Sequence, residues 1–188
     1  MSIIIDDPAR QIAEHVAAER KRRDWSLAEL SERSGVSKAM LSKIEREEVS
    51  PTASILARIA TAFGQTLAGL LEPPEGRSAK LLRGREQPRW QDPASGYVRK
   101  QVFQSAENPL ELVDVHLPAG ARVAFPASSY AFIRQVVWLL SGRLEIVEGN
   151  EKFALEAGDR LEFGVPADSE FRNPGEKPAH YLVALVRQ

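Results

Sequence analysis

The chain of 188 residues contains no cysteine. That excludes disulfides and thiolate metal centres and suits a reducing compartment. No apolar run approaches the roughly 20 residues that span a bilayer, so no membrane segment is expected. The start, MSIIIDDPARQ, has one apolar triplet but no basic flank and no long hydrophobic stretch, so it does not read as a secretory signal. Low-complexity tracts and repeats of solenoid length are also missing. Histidine is scarce, with only His15, His116 and His180. Net charge is nearly absent at −1. These absences lead us to expect a soluble cytoplasmic protein.

Hydrophobic residues make up 43% of the chain, which is ordinary for a globular protein with a true core. The length suits one large domain or two small ones. The near-neutral total hides an uneven distribution: −2 over residues 1–75, +5 over 76–100 and −4 over 101–188. A local basic run covers residues 20–23. Such runs are either solvated surface or phosphate-attracting, and charge alone does not decide between them.

Helical punctuation fills the first 72 residues. Asp7-Pro8 reads as an N-cap followed by proline in the first turn, predicting a helix to about Arg23 that buries Ile12, Ala13 and Val16. Ser26 and Glu29 form a capping box for a second helix, which Gly35 ends. A third helix is expected from about Ser37 to Glu45 or Arg46. Ser50-Pro51 is expected to start a fourth, with Ile55, Leu56, Ile59, Ala60 and Phe63 on one face and Gly64 at its end. A last short helix covers 66–71. Pro73-Pro74-Glu75-Gly76 then breaks the pattern. The basic stretch to about Gly96 reads as a linker containing a first edge strand.

From Tyr97 the period changes to two. Strands are expected at 98–104, 110–117, 134–140, 143–148, 152–155, 160–163, 170–173 and 179–186, with turn residues between them. Short, regularly spaced strands of this kind build an antiparallel barrel or sandwich.

A short helix, a glycine turn and a second short helix make a helix-turn-helix, whose second helix enters the DNA major groove by its N-terminal end. Here Ser31, Gly35, Val36, Leu41 and Ile44 suit the tight crossing. The opposite face carries Ser37, Lys38, Ala39, Ser42, Lys43 and Arg46, which are short or cationic side chains able to reach base edges and phosphates. A helical bundle serving protein interaction would use the same elements.

The stretch LAELSERSGVSKAMLSKIEREEVSPTASILARIATAFGQTLAGLL resembles the Cro/C1-type (XRE) helix-turn-helix family over about residues 10–71. The resemblance implies a dimer on a palindromic operator. Ser37, Lys38, Ala39, Ser42 and Lys43 would face the groove, with Ser26 and Arg46 near phosphates. Ser31 departs from the family's usual alanine, and Glu47-Glu48 stands where a glycine-containing turn is common.

Residues 97–188 resemble a small cupin barrel. Gly120 and Gly142 bound its first motif in LPAGARVAFPASSYAFIRQVVWLLSGRLEI. The family's histidine positions fall near Ser128 and Tyr130 and its glutamate position at Gln135. In the second motif, Glu170 takes the histidine position and Asn173 matches the family's asparagine. A two-histidine, one-carboxylate iron site or a three-ligand zinc site cannot be assembled from these residues, so no metal, cofactor or catalytic residue is expected. His116 and His180 read as barrel or surface histidines. Strand alternation puts Gln135, Val137 and Leu139 on one face. If the family's ligand position points inward, as the resemblance implies, Gln135 does too, and Phe125, Tyr130, Glu170 and Arg172 would join it in a pocket fit for a small polar effector. A filled barrel that only dimerises is the competing expectation. Trp138 has the opposite parity and suits a second layer or a subunit interface.

The resulting expectation is a two-part chain: a five-helix DNA-binding domain over 8–72, a basic linker over 73–96, and a jelly-roll-type cupin barrel over 97–188. It would act as a homodimeric transcriptional regulator of double-stranded DNA, responsive to a small molecule without a metal, or with no effector at all. The alternative is a metal-dependent cupin enzyme of oxygenase or epoxidase type with the helices as scaffold.

Overall fold

The computed structural model describes residues 8–71, 80–105 and 107–188. The expected Asp7 cap and the break at Pro73–Gly76 lie outside them. Five helices come first: α1 (Pro8–Arg22), α2 (Leu27–Ser34), α3 (Lys38–Glu45), α4 (Ala53–Ala62) and α5 (Leu67–Leu71). Period-3.6 spacing puts Ile12 and Val16 of α1, Leu30 of α2, Leu41 and Ile44 of α3, and Leu56 and Ile59 of α4 into one buried cluster. Helix α4 begins two residues later than Ser50-Pro51 suggests. The Thr52 hydroxyl accepts the Ile55 N–H at 3.4 Å and caps it, while Pro51 is buried ahead of the helix.

Ten strands follow: β1 (Arg89–Gln91), β2 (Val98–Phe103), β3 (Leu110–Leu117), β4 (Arg122–Phe125), β5 (Ile133–Ser141), β6 (Arg143–Glu148), β7 (Glu151–Glu156), β8 (Arg160–Glu162), β9 (Ser169–Arg172) and β10 (Ala179–Arg187). They form a six-stranded sheet ordered β1-β2-β3-β10-β5-β8 and a four-stranded sheet ordered β4-β9-β6-β7, with all pairings antiparallel. Two facing sheets with these crossovers make a cupin-like jelly roll, not one closed barrel. Strand β1 is the edge strand expected inside the basic stretch. Strand β4 and the 3-10 turn Ala127–Tyr130 were not anticipated: four residues before Pro126 give too little alternation to stand out.

Rows of alternate residues fill the space between the sheets. Val113, Val115 and Leu117 of β3, Val137 and Leu139 of β5, Ile146 of β6, Phe171 of β9 and Tyr181 of β10 are all buried. Phe171 is central: it stacks on Phe163 and Tyr181 and meets Phe125 edge-on.

The helical and strand halves are joined by packing and by two polar ties. Helix α4 packs on β4 and on the 3-10 turn. The Ala53 N–H donates to Asp92 Oδ1 at 2.8 Å, so a carboxylate from the β1–β2 turn occupies the start of α4. The second carboxylate oxygen of Asp92 accepts the Ser95 N–H at 2.8 Å. At the other tie, the Thr66 hydroxyl ahead of α5 donates to the fully buried Glu111 of β3 at 3.0 Å.

Candidate nucleic-acid interface and the jelly-roll interior

Local chemistry sets the presentation of α3. Ser26 and Glu29 make the expected reciprocal capping box at α2. Gly35 takes φ +66°, the left-handed region that glycine enters without strain. Ser34 then locks the turn: its hydroxyl donates to Leu30 O at 2.6 Å and accepts the Val36 N–H at 3.2 Å. Ser37 caps α3 by accepting the Met40 N–H at 3.2 Å. Val36, Leu41 and Ile44 face the core, so Ser37, Lys38, Ala39, Lys43 and Arg46 are exposed and Ser42 is half-buried. Neither Lys38 nor Lys43 has an ion-pair partner among the described residues. Arg46 differs, because Glu48 holds its Nε at 3.0 Å. Ser26 is engaged by the cap on both sides, its hydroxyl accepting the Glu29 N–H while its backbone N–H and its hydroxyl are within hydrogen-bonding reach of the Glu29 carboxylate.

Glu47 sits at φ +61°, so the turn after α3 does demand the conformation glycine favours. A feature the sequence did not disclose fixes the far end of α3. Arg20 of α1 grips Glu45 and also donates to Trp25 O at 2.8 Å. Glu45 in turn raises the Arg20 pKa through its hydrogen bond. The signal lay in the basic run, where Arg20 stands two residues before the helix end.

Gln135 of β5 and Tyr130 of the 3-10 turn are both buried, in keeping with the inward placement that the family resemblance implied. The Tyr130 hydroxyl shares a hydrogen bond with Ser169, and burial pushes its pKa up. Phe125 is half-buried, its ring meeting Tyr97 and Phe171 edge-on. Glu170 and Arg172 are a correction: Ser169 and Phe171 point inward, so Glu170 and Arg172 lie on the outer face of β9, paired with each other at 2.6 Å. The clue was present, because Phe171 is the one apolar residue in Ser169-Glu-Phe-Arg172. The rings leave a hollow of about 10 Å³ beside Tyr130 and Gln135, room for at most one water. A larger cleft of about 500 Å³ opens between the start of α4, the turn holding Asp92 and Ser95, and residues 118–124.

The family's metal positions carry Ser128, Tyr130, Gln135 and Glu170. Ser128 is exposed and Glu170 faces outward, leaving a phenol and an amide inside. That donor set does not fit a divalent ion. Asn173 is instead a turn organiser, its amide donating to Leu117 O at 2.9 Å and Lys177 O at 2.8 Å. His116 and His180 are surface residues, stacked on the outer face of the six-stranded sheet beside Asp114. Burial and then the neighbouring His180 lower the His116 pKa, with Asp114 opposing them. Burial would raise the Asp114 carboxyl, but hydrogen bonds from Lys100 and His180 outweigh it and hold it below its ordinary value.

Comparison with known proteins agrees with this geometry. Residues 16–70 match the helix-turn-helix family model HTH_3. The HTH-type transcriptional regulator SutR of Escherichia coli (strain K12) is 28% identical over 177 residues, spanning 94% of this chain and 95% of that protein. The crystal structure of an HTH_3 family transcriptional regulator from Vibrio cholerae has the same fold, with a TM-score of 0.79 at 22% identity over 96% of this chain and 97% of that one. The hydroxypropylphosphonic acid epoxidase from S. wedmorenis overlays loosely, with a TM-score of 0.49 at 18% identity over 95% and 97% of the two chains, a likeness too distant to bear on chemistry. No helix among the described residues is long and apolar enough to cross a membrane.

Proposed function

For a chain that joins a Cro/C1-type (XRE) helix-turn-helix domain to a cupin-like jelly roll, we propose a DNA-binding transcriptional regulator with a ligand-sensing strand half. The observation that carries this reading is the outward face of α3. Its apolar side is buried, the residues of its Ser37-capped N-terminus are exposed, and Lys38 and Lys43 are left without an anionic partner among the described residues. Such a surface has little to do unless an anion arrives, and duplex DNA supplies phosphates and guanine acceptors at this spacing.

The reading includes a homodimer on a palindromic operator, its two α3 helices one turn of DNA apart, about 34 Å. Trp138, exposed on the outer face of the six-stranded sheet directly across from half-buried Leu182, with exposed Val186 four residues further along β10, offers an apolar surface for self-association. A small polar effector would enter the cleft between the halves, whose volume is in the range of metabolite sites. From there it would bear on the start of α4 and so on the helix-turn-helix.

The test is a fluorescence-anisotropy titration of the purified chain with a mixed-sequence duplex at two salt concentrations. Binding that weakens steeply with salt supports the reading. No binding at low salt overturns it.

A further inference from the structure

Strand period and register place three potential ligands together, far from the interior positions of the cupin motifs. Asp114 and His116 are two apart on β3 and share its outer side, while Val113, Val115 and Leu117 face the core. His180 of β10 lies directly across from His116. The two imidazoles stack with ring centres 4.1 Å apart and planes within 9°. Asp114 Oδ1 lies 2.7 Å from His180 Nε2 and 3.5 Å from His116 Nε2. All three ligand atoms fall within 4.8 Å of one another.

These separations bracket what one small ion needs. Donors at about 2.0–2.1 Å around a tetrahedral centre stand about 3.3 Å apart. Turning the rings about their soft outer torsions brings both lone pairs toward one point. Lys100, opposite Asp114 on β2, holds the other carboxylate oxygen at 2.9 Å. That contact aims Oδ1 at the imidazoles, as the supporting partners of ligating carboxylates do. It also matches the carboxylate's charge, so the histidines are not needed as its counter-ions and are left as nitrogen donors.

We propose that Asp114 Oδ1, His116 Nε2 and His180 Nε2 form a binding site for one divalent transition-metal ion of the zinc, nickel or copper class. Two imidazoles and one carboxylate select such borderline ions over magnesium and calcium, which prefer all-oxygen shells. The ion takes the place of the His180–Asp114 hydrogen bond, and the neutral His180 ring binds it as the tautomer with its single proton on Nδ1. Three protein donors leave an open position pointing away from the sheet, for water or for a donor from whatever covers that face. Trp138 reports on the site, since it lies in the same cross-strand row as Asp114, with Leu182 between them.

The experiment uses untagged full-length protein stripped with a chelator. Zinc is titrated in competition with a chromophoric chelator, and copper(II) is followed by tryptophan emission. The expected result is one equivalent of zinc per chain, weakened at least about tenfold in His116→Asn and in His180→Gln, with unchanged far-UV circular dichroism and melting. His15→Asn should bind like the parent. Copper(II) should quench emission in the parent and much less in Trp138→Phe. His116 is half exposed, so its replacement leaves the fold intact. Absence of a stoichiometric zinc equivalent overturns the proposal, as does zinc binding that neither histidine variant weakens.

Discussion

The guanidinium of Arg20 near the end of α1 holds the carboxylate of Glu45, the last residue of α3, at two points: Nε to Oε1 at 2.7 Å and Nη2 to Oε2 at 2.8 Å. The side chains are only 14% and 13% exposed, which separates this pair from surface bridges that contribute little. Removing one partner strands the other in a half-dry site. Glu45→Ala should therefore lower stability by about 2 kcal/mol, measured by urea unfolding. Binding to DNA should fall as well, since the pair fixes the base of α3. A loss no larger than that of a surface pair would show that apolar packing alone orients the helix.

Lys38→Ala and Lys43→Ala should each weaken operator binding, one or both by about 1–3 kcal/mol where a base edge is read. A phosphate contact instead lowers affinity for every sequence and reduces the salt slope by about one. Arg46→Ala should cost less, because Glu48 already occupies that guanidinium. Anisotropy titrations with a specific and a scrambled duplex separate these cases.

Glycine-to-alanine exchanges should differ by site. A Cβ at Gly35 meets nothing within 4 Å, so only the left-handed backbone opposes it, at about 1 kcal/mol. A Cβ at Gly142, with φ +86°, would lie 2.7 Å from Pro178 O and 2.9 Å from Ala179 Cα, both backbone atoms. Gly142→Ala should cost about 3 kcal/mol or more, since strain and steric conflict add. Denaturant midpoints of the two variants compare them directly.

Acid should unlatch the corner where α1 ends. Burial would raise the Glu19 carboxyl, but hydrogen bonds from Arg22 and Arg23 outweigh it and hold it below its ordinary 4.5. A folded value below the unfolded one means the contribution is complete above about pH 4.5 and disappears as pH falls through the folded value. Parent and Glu19→Gln should thus differ in stability at pH 7 and converge in acid. A difference that stays constant down to pH 3 would contradict the assignment.

Asp92 is one of the two polar ties between the halves. In Asp92→Ala the start of α4 loses its carboxylate, and the Ser95 turn loses its acceptor. The buried Ala53 N–H is left unpaired, a cost of about 1–3 kcal/mol. The expected result is faster proteolytic cleavage between the halves, followed by limited trypsin digestion. If cleavage is unchanged, α4 packing on β4 and the Thr66–Glu111 tie suffice to couple them.

Much of this architecture was legible from residue order. Ser26, Glu29, Gly35 and Ser37 announced α2, the turn and α3 because each acts on backbone within a few residues. Strands β3 and β6 matched their expected bounds, since their alternation is strong and their flanking turns are clear. What sequence did not disclose depends on long-range placement. Arg20 meets Glu45 across 25 positions, and Asp114 meets His180 across 66. The inward assignment of Glu170 and Arg172 failed because parity was carried over from a family position, whereas Phe171 anchors β9 through its ring contacts. The interior pocket was expected from strand parity and family positions, which do not register how much volume the facing rings fill. The rings of Phe163, Phe171 and Tyr181 occupy most of that space.

The central claim is that the outward face of α3 reads duplex DNA. Selection of bound sequences from a random duplex pool, run in parallel on the parent chain and a Lys38→Ala/Lys43→Ala double variant, tests it most directly. The account predicts enrichment of an inverted repeat with half-sites about 10–10.5 base pairs apart, lost in the double variant. A pool that stays random with the parent, or the same motif recovered with the variant, would contradict it.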